Sequence, residues 1–211
     1  MDNQFLASEF DSWAESYDDS VHDNSFFPFL GYTDLLGEMV RLASPGPGLA
    51  VLDLGAGTGN LSLPLAEAGC EVWCADFSAA MLEKARRKIP DAHFVTYDMH
   101  DPLPVELNRP FDRIISAFTF HHFDLPEKVA IIKRFLPLLP ETGSIIIGDI
   151  SFSDEAAREN VKTDLGDEWE EEFYWLTCTD IPTLESLGLD VEYRQVTPFS
   201  GIFHLRNLVI S

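Results

Sequence analysis

The sequence predicts an α/β fold, a doubly wound and mostly parallel sheet with helices on both faces. Three observations predict it. From Leu49 onward, short β-rich runs alternate with helical patterns, the order that builds parallel strands joined by crossover helices. The runs are apolar rather than alternating, as strands covered on both faces are. One of them leads straight into the glycine-rich segment VLDLGAGTGN, Val51 to Asn60, and then into a helical pattern.

The first run, Leu49 to Leu54, follows the punctuation SPGPG at Ser44 to Gly48. Glu71 to Asp76, Ala92 to Tyr97, Arg113 to Phe118 and Ser144 to Ile150 read as further strands. Two last runs, LDVEYRQV and GIFHLRNLVI, have only a short turn around TPFSG between them, which predicts an antiparallel hairpin at one edge of the sheet. Ser78 is placed to cap a helix carrying Met81, Leu82, Ala85 and Ile89 on one face, with Arg86, Arg87 and Lys88 at its C-terminal end and Pro90 beyond. Asp124 and Glu127 form a D-x-x-E variant of the capping box, and Leu125, Val129, Ile132, Leu136 and Leu139 follow at helical spacing. Residues 1–211 read as one domain. Within it, 1–43 is expected to form an N-terminal helical lid and 152–179 an insert beside an acceptor pocket. Both are expected near the carboxyl ends of the strands, where open α/β sheets bind ligands.

Composition excludes several partners. Fourteen Lys and Arg stand against 36 Asp and Glu, a formal charge of −22. Phosphates of DNA, RNA and anionic membranes meet a repulsive field, and a neutral or cationic small molecule is favoured. The longest apolar stretches are too short to span a bilayer, and the first ten residues, MDNQFLASEF, do not read as a secretory signal. Cys70, Cys74 and Cys178 have neither the number nor the spacing of a disulfide framework or structural zinc site. A reducing, cytoplasmic location is expected.

The glycine turn carries the chemistry. Gly55, Gly57 and Gly59 let the backbone turn sharply and a ligand approach it without a Cβ in the way. Such a turn also fits a nicotinamide or flavin cofactor, and Asp76, ending the second strand, suits ribose hydroxyls in either class. Three details separate them. Asn60 occupies the place where the dinucleotide pattern needs a third small residue. Asp53, two residues before Gly55, would repel a pyrophosphate but attract an ammonium and a sulfonium. Asp98 and Met99, just past the third strand, suit the edge and face of an adenine.

Five segments in order, FDSWAESYD (Phe10 to Asp18), VLDLGAGTGN, CADFSAAML (Cys74 to Leu82), YDMHDPLP and FDRIISAFTFHHF (Phe111 to Phe123), closely resemble the class I S-adenosylmethionine-dependent methyltransferases, especially small bacterial members acting on small molecules. The resemblance implies a seven-stranded Rossmann-like sheet with an antiparallel last strand, and S-adenosyl-L-methionine as cofactor with S-adenosyl-L-homocysteine as product. It implies that Gly55, Ala56 and Gly57 line the methionine part, with Asp53 nearby, and that Asp76 grips the ribose. Phe77 would flank the adenine and Asp98 and Met99 recognise it. Tyr17 would close over the methionine carboxylate. Asn is more usual where this chain has Ala117, so only a backbone contact to the methionine ammonium carries over.

Methyl transfer of this kind is an in-line displacement that needs positioning, no metal, and a base only where the acceptor is protonated at neutral pH. His121, with His122, follows the fourth strand beside the expected methyl group and is the candidate base; ordering the loop is its structural alternative. Asp149 and Tyr174 are weaker candidates for touching the acceptor. The insert's DEWEEEFYW, Asp167 to Trp175, reads as a solvated acidic face whose Trp169, Phe173 and Trp175 wall an apolar pocket, a combination suited to an amine or other cationic acceptor. The alternatives are a catalytically silent S-adenosylmethionine-binding regulatory or interaction domain and, ranked lower, a nicotinamide-dependent oxidoreductase.

Overall fold

Strand order in the sheet is β3-β2-β1-β4-β5-β8-β7, with a short β6 paired to the end of β5. The computed structural model describes residues 14–22 and 27–208; Trp13 and the first part of the Phe10 to Asp18 segment lie outside them. The strands are β1 (Ala50–Leu54), β2 (Glu71–Asp76), β3 (His93–Thr96), β4 (Arg113–Ala117), β5 (Ser144–Phe152), β6 (Trp175–Leu176), β7 (Leu189–Thr197) and β8 (Ser200–Asn207). The described helices are α1 (Tyr17–His22), α2 (Tyr32–Ala43), α3 (Ser62–Glu67), α4 (Ala79–Lys88), α5 (Leu125–Phe135), α6 (Glu155–Leu165) and α7 (Thr177–Glu185). None is long and apolar enough to cross a membrane.

β1 to β5 pair in parallel, whereas β8 is antiparallel to both β5 and β7. Because residues alternate sides along a strand, the sheet carries two cores. Val51, Ile146 and Ile202 face α1 to α4, through Val21, Leu35, Met39, Leu65 and Leu82. Leu52, Ile145 and Phe203 face α5 and α7, through Ile131, Ile132, Phe135 and Leu184. All nine residues of β5 are buried, and Gly148 lets α2 lie directly on it: a Cβ there would come within 2.3 Å of Met39 Sδ.

The expected caps form. Ser78 Oγ accepts from Met81 N at 3.1 Å, and both arms of the Asp124–Glu127 box are closed at 2.9 Å. The structure departs from expectation in three places. β6 is a two-residue strand inside the insert, too short to leave a pattern. β5 runs on to Phe152. The inner stripe of α5 is Lys128, Ile131, Ile132 and Phe135 rather than the one through Leu125, Val129 and Leu136; a lysine occupies a core position.

Candidate active site

Strand order reverses between β1 and β4, and the cleft at that switch point is where a doubly wound sheet takes its ligand. A cavity of about 760 Å³ opens there. The turn after β1 is pinned by β2: the N–H groups of Gly55 and Ala56 both donate to Ala75 O, at 2.8 and 3.0 Å. Asp76, 6 % exposed, accepts from Gly57 N at Oδ2 and from Ser78 N at Oδ1, each at 2.8 Å. Gly55 has φ +72, and a Cβ on it would sit 2.3 Å from Thr119 Oγ1, so the turn after β1 packs directly on the side chain of Thr119, which follows β4. Gly57 has φ +53, and a Cβ on it would meet no atom of the chain within 4 Å. Its place is on the cavity wall, so the space beside it is left for a ligand.

Of the residues expected to bind cofactor, Tyr17, Gly55, Gly57, Asp76, Phe77, Asp98, Met99 and Ala117 line this cavity, and so does His121. Two do not. Ala56 stands behind the wall with its N–H spent on Ala75. Asp53 is corrected as well: it is 1 % exposed and its Oδ2 accepts from Ser62 Oγ at 2.7 Å, so it braces the start of α3 from inside. Burial, with the neighbouring Asp76, pushes its carboxyl up to about 7. An acid that holds its proton so long is a poor attractor of a cationic ligand.

Elements far apart in sequence support the wall. Arg134 Nη1 donates to Tyr97 OH, Met99 O and Asp101 O at 2.7 to 2.8 Å and so shapes the loop presenting Asp98 and Met99. Asp98 Oδ1 also accepts from His100 N at 2.9 Å. α1 is latched onto the glycine turn by Asp18, which accepts from Thr58 Oγ1 at 2.6 Å and pairs with Lys88 Nζ at 2.7 Å. Asn60, which does not suit a dinucleotide turn, is employed in this latch: it donates to Asp18 and Tyr32 OH and accepts from Lys88. Burial and the adjacent Tyr32 hold the Tyr17 phenol well above its ordinary value, so it stays a neutral O–H group.

On the other side of the cavity the structure supplies a pairing that the sequence did not show. His121 Nδ1 lies 2.6 Å from Asp149 Oδ1. Asp149 is fully buried, and it also accepts from Ile150 N at 2.9 Å and Trp175 Nε1 at 3.2 Å. Burial alone would raise its carboxyl, but His121, Lys128 and the Ile150 N–H together bring it below the ordinary range. It is therefore an ionised acceptor. His121 must donate Nδ1–H to it, which leaves the lone pair on Nε2. Asp149, a weaker candidate for touching the acceptor, thus bonds the histidine and does not itself line the cavity.

Between Trp169 and Tyr174 the insert is neither helix nor strand, and it is alternate residues that reach the cavity. Glu168, Glu170, Glu172 and Tyr174 line the cavity. The aromatics expected there point elsewhere: Trp169 stacks on Phe27 at 5.6 Å, Phe173 is 44 % exposed, and Trp175 is in the core.

Glycine turn, ribose-type carboxylate and switch-point cleft define an α/β protein that binds a nucleoside cofactor. No Lys or Arg of the described residues lines the cleft, which fits a sulfonium cofactor and opposes a pyrophosphate. The Methyltransferase domain family profile matches residues 51–143. An uncharacterized methyltransferase of Anoxybacillus flavithermus is 36 % identical, the match covering 94 % of this chain and 96 % of the relative. One of Geobacillus thermodenitrificans is also 36 % identical, over 94 % and 95 %. Among solved structures, magnesium protoporphyrin IX methyltransferase from Synechocystis with bound S-adenosylhomocysteine shares the fold at a TM-score of 0.76 and 20 % identity, over 98 % of this chain and all of that one. Burkholderia thailandensis 1,6-didemethyltoxoflavin-N1-methyltransferase does so at 0.68 and 17 %, over 96 % and 87 %. The chain belongs to the class I S-adenosylmethionine-dependent methyltransferases. Its cofactor is S-adenosylmethionine.

Proposed function

We propose that the chain methylates a small molecule held in the cavity between the glycine turn and the insert, with His121 as general base. S-adenosylmethionine, when bound, supplies a methyl group made electrophilic by its sulfonium. Asp76, its carboxylate held in place by Gly57 N and Ser78 N, takes the ribose hydroxyls. Asp98 and Met99 take the adenine with Phe77 beside it. Gly55, Gly57 and the backbone at Ala117 face the methionine part, and Tyr17 closes over its carboxylate end. The acceptor sits on the insert side.

The observation that carries this reading is the His121–Asp149 pair on the cavity wall. A histidine that merely ordered its loop would not need a fully buried carboxylate with three donors. Held this way, with Nδ1–H given to Asp149, the ring turns Nε2 to the task of accepting a proton. The test is incubation with methyl-labelled S-adenosylmethionine and a cell extract separated into low-mass and macromolecular fractions. Label is expected in the low-mass fraction and lost in His121→Asn, which keeps its affinity for S-adenosylhomocysteine. Label confined to protein or nucleic acid would refute the small-molecule acceptor.

A further inference from the structure

We propose that the acceptor is an amine, captured as its ammonium by Glu172; this rests on the methyltransferase reading of the cavity above. The acidic run of the insert is not uniform. Glu171 faces outward, paired with Lys162 at 2.6 Å and with Trp169 Nε1 at 3.0 Å, and Glu168 and Glu170 are exposed at the cavity rim. Glu172 is different. Its side chain is 10 % exposed, it lines the cavity, and its buried Oε2 has no hydrogen-bond partner among the described residues. Its Oε1 is 3.7 Å from His122 Nδ1, an imidazole whose pKa burial beside His121 lowers against the pull of Glu172. A buried carboxylate oxygen without a donor is costly unless a ligand satisfies it.

The rest of the cavity agrees on the sign of that ligand. Its six carboxylates come from the end of β2, the loop after β3 and the insert, and among the described residues no Lys or Arg lines it. Residues 1–13, 23–26 and 209–211 contain neither Lys nor Arg, so they bring no cationic side chain to it. Phe27, Phe29, Phe118 and Tyr174 on the same wall offer aromatic faces and edges to a cation or to the apolar body carrying it.

Glu172 is also placed for the chemistry. The N–H of the next residue, Phe173, donates to His121 O at 2.9 Å, and the His121 and His122 rings are 4.1 Å apart. An ammonium held by Glu172 thus stands beside the base. It gives one proton to His121 Nε2; the freed nitrogen lone pair forms the N–C bond, and the C–S electron pair returns to sulfur. The products are an N-methylammonium, S-adenosylhomocysteine and the proton on the histidine.

The test is calorimetric, on protein saturated with S-adenosylhomocysteine, with 2-phenylethylamine and its neutral isostere 2-phenylethanol as probes. The amine is expected to bind at least about tenfold more tightly, the order of a charge-assisted hydrogen bond. Glu172→Gln should abolish that preference. Glu171→Gln, with the same change of charge outside the cavity, should keep it. Equal affinity for the two probes, including no measurable binding of either, overturns the proposal, and so does a preference that survives Glu172→Gln. The cofactor titration shows whether each variant folds. If Glu172→Gln fails to fold, the two probes on the unaltered protein still decide. Failure of the unaltered protein to bind S-adenosylhomocysteine would strike the methyltransferase reading instead, and is seen before any probe is added.

Discussion

Asp53 was read from sequence as a cofactor contact, and the structure gives it a different physical signature that can be measured. Its carboxyl, ordinarily at 3.8, is pushed to about 7 by burial and by Asp76. The folded state therefore keeps a proton that the unfolded chain releases near pH 4. Stability from this group is fully present below about pH 4 and is lost as pH rises toward 7. Between about pH 5 and about pH 8.5 the loss amounts to about 2–3 kcal/mol. Asp53→Asn cannot titrate, and its amide oxygen still accepts from Ser62. Its buried NH₂ adds a cost, but one that does not vary with pH. Urea unfolding of both proteins at the two pH values isolates the term, because other titrating groups cancel in the difference. The variant should gain about 2–3 kcal/mol on the unaltered protein from the lower to the higher pH. Two stability curves running parallel across this range would refute the assignment of a buried, protonating Asp53.

The remaining expectations concern the cleft. Asp76→Ala should weaken S-adenosylhomocysteine binding by at least about tenfold, since hydrogen bonds to a charged group are worth roughly 1.5–3 kcal/mol; calorimetry on the folded variant checks it, and unchanged affinity would mean that the ribose is held elsewhere. Gly57→Ala should cost only about 1–2 kcal/mol of stability, for its positive φ, yet lose cofactor affinity; Gly55→Ala, whose Cβ meets Thr119, should lose more stability in the same thermal melts, and the reverse ranking would contradict the cavity's placement. Asp149→Asn can donate to His121 Nδ1 and so turn the ring's proton onto Nε2. It should lower kcat by about 10- to 150-fold with cofactor affinity unchanged, and a kcat within about twofold of the original would remove the histidine from the chemistry.

How much of this could be read beforehand follows from the range of each interaction. Strands, caps and the glycine turn are written in residues within a few positions of one another, and, apart from β6 and the end of β5, they stand where the sequence puts them. The capping box needs only Asp124 and Glu127, and the turn needs only Gly55 to Gly59. His121 was legible as a residue type after a strand end. Its partner was not, because Asp149 is 28 positions on and meets it only through the pairing of β4 with β5. Arg134 and Asp18 were invisible for the same reason. Lys128 could have been found. It falls three residues after Leu125 and four before Ile132, within the apolar arc, and was passed over because charge is expected outside. The aromatic wall was misread in the insert because a solvated face was assumed where the chain leaves its helix and sends alternate residues to the cavity. Period two sends Glu172 inward and Trp169, Phe173 and Trp175 away from the cavity.

That lysine shows how the two halves of the site are joined. Lys128 is 1 % exposed, and burial, against the pull of Asp149, Asp180 and Asp124, lowers it to about 8. Its Nζ donates to Phe173 O and lies 4.3 Å from the centre of the Trp175 ring. The Phe173 N–H reaches His121 O, and the Trp175 indole reaches Asp149. One short stretch of the insert is therefore tied to α5, to the histidine and to the carboxylate behind it. Burying a lysine for packing alone would be a poor arrangement, since an aliphatic side chain of similar volume does it without desolvating a charge. Here the ammonium satisfies a carbonyl and offsets the buried Asp149. The insert that carries Glu172 is thus registered against both His121 and Asp149 by bonds of its own, beside the one that joins those two residues. On the proposed reading, acceptor binding by Glu172 and proton removal by His121 would then be coupled through these bonds, set against a cofactor cleft built from different strands.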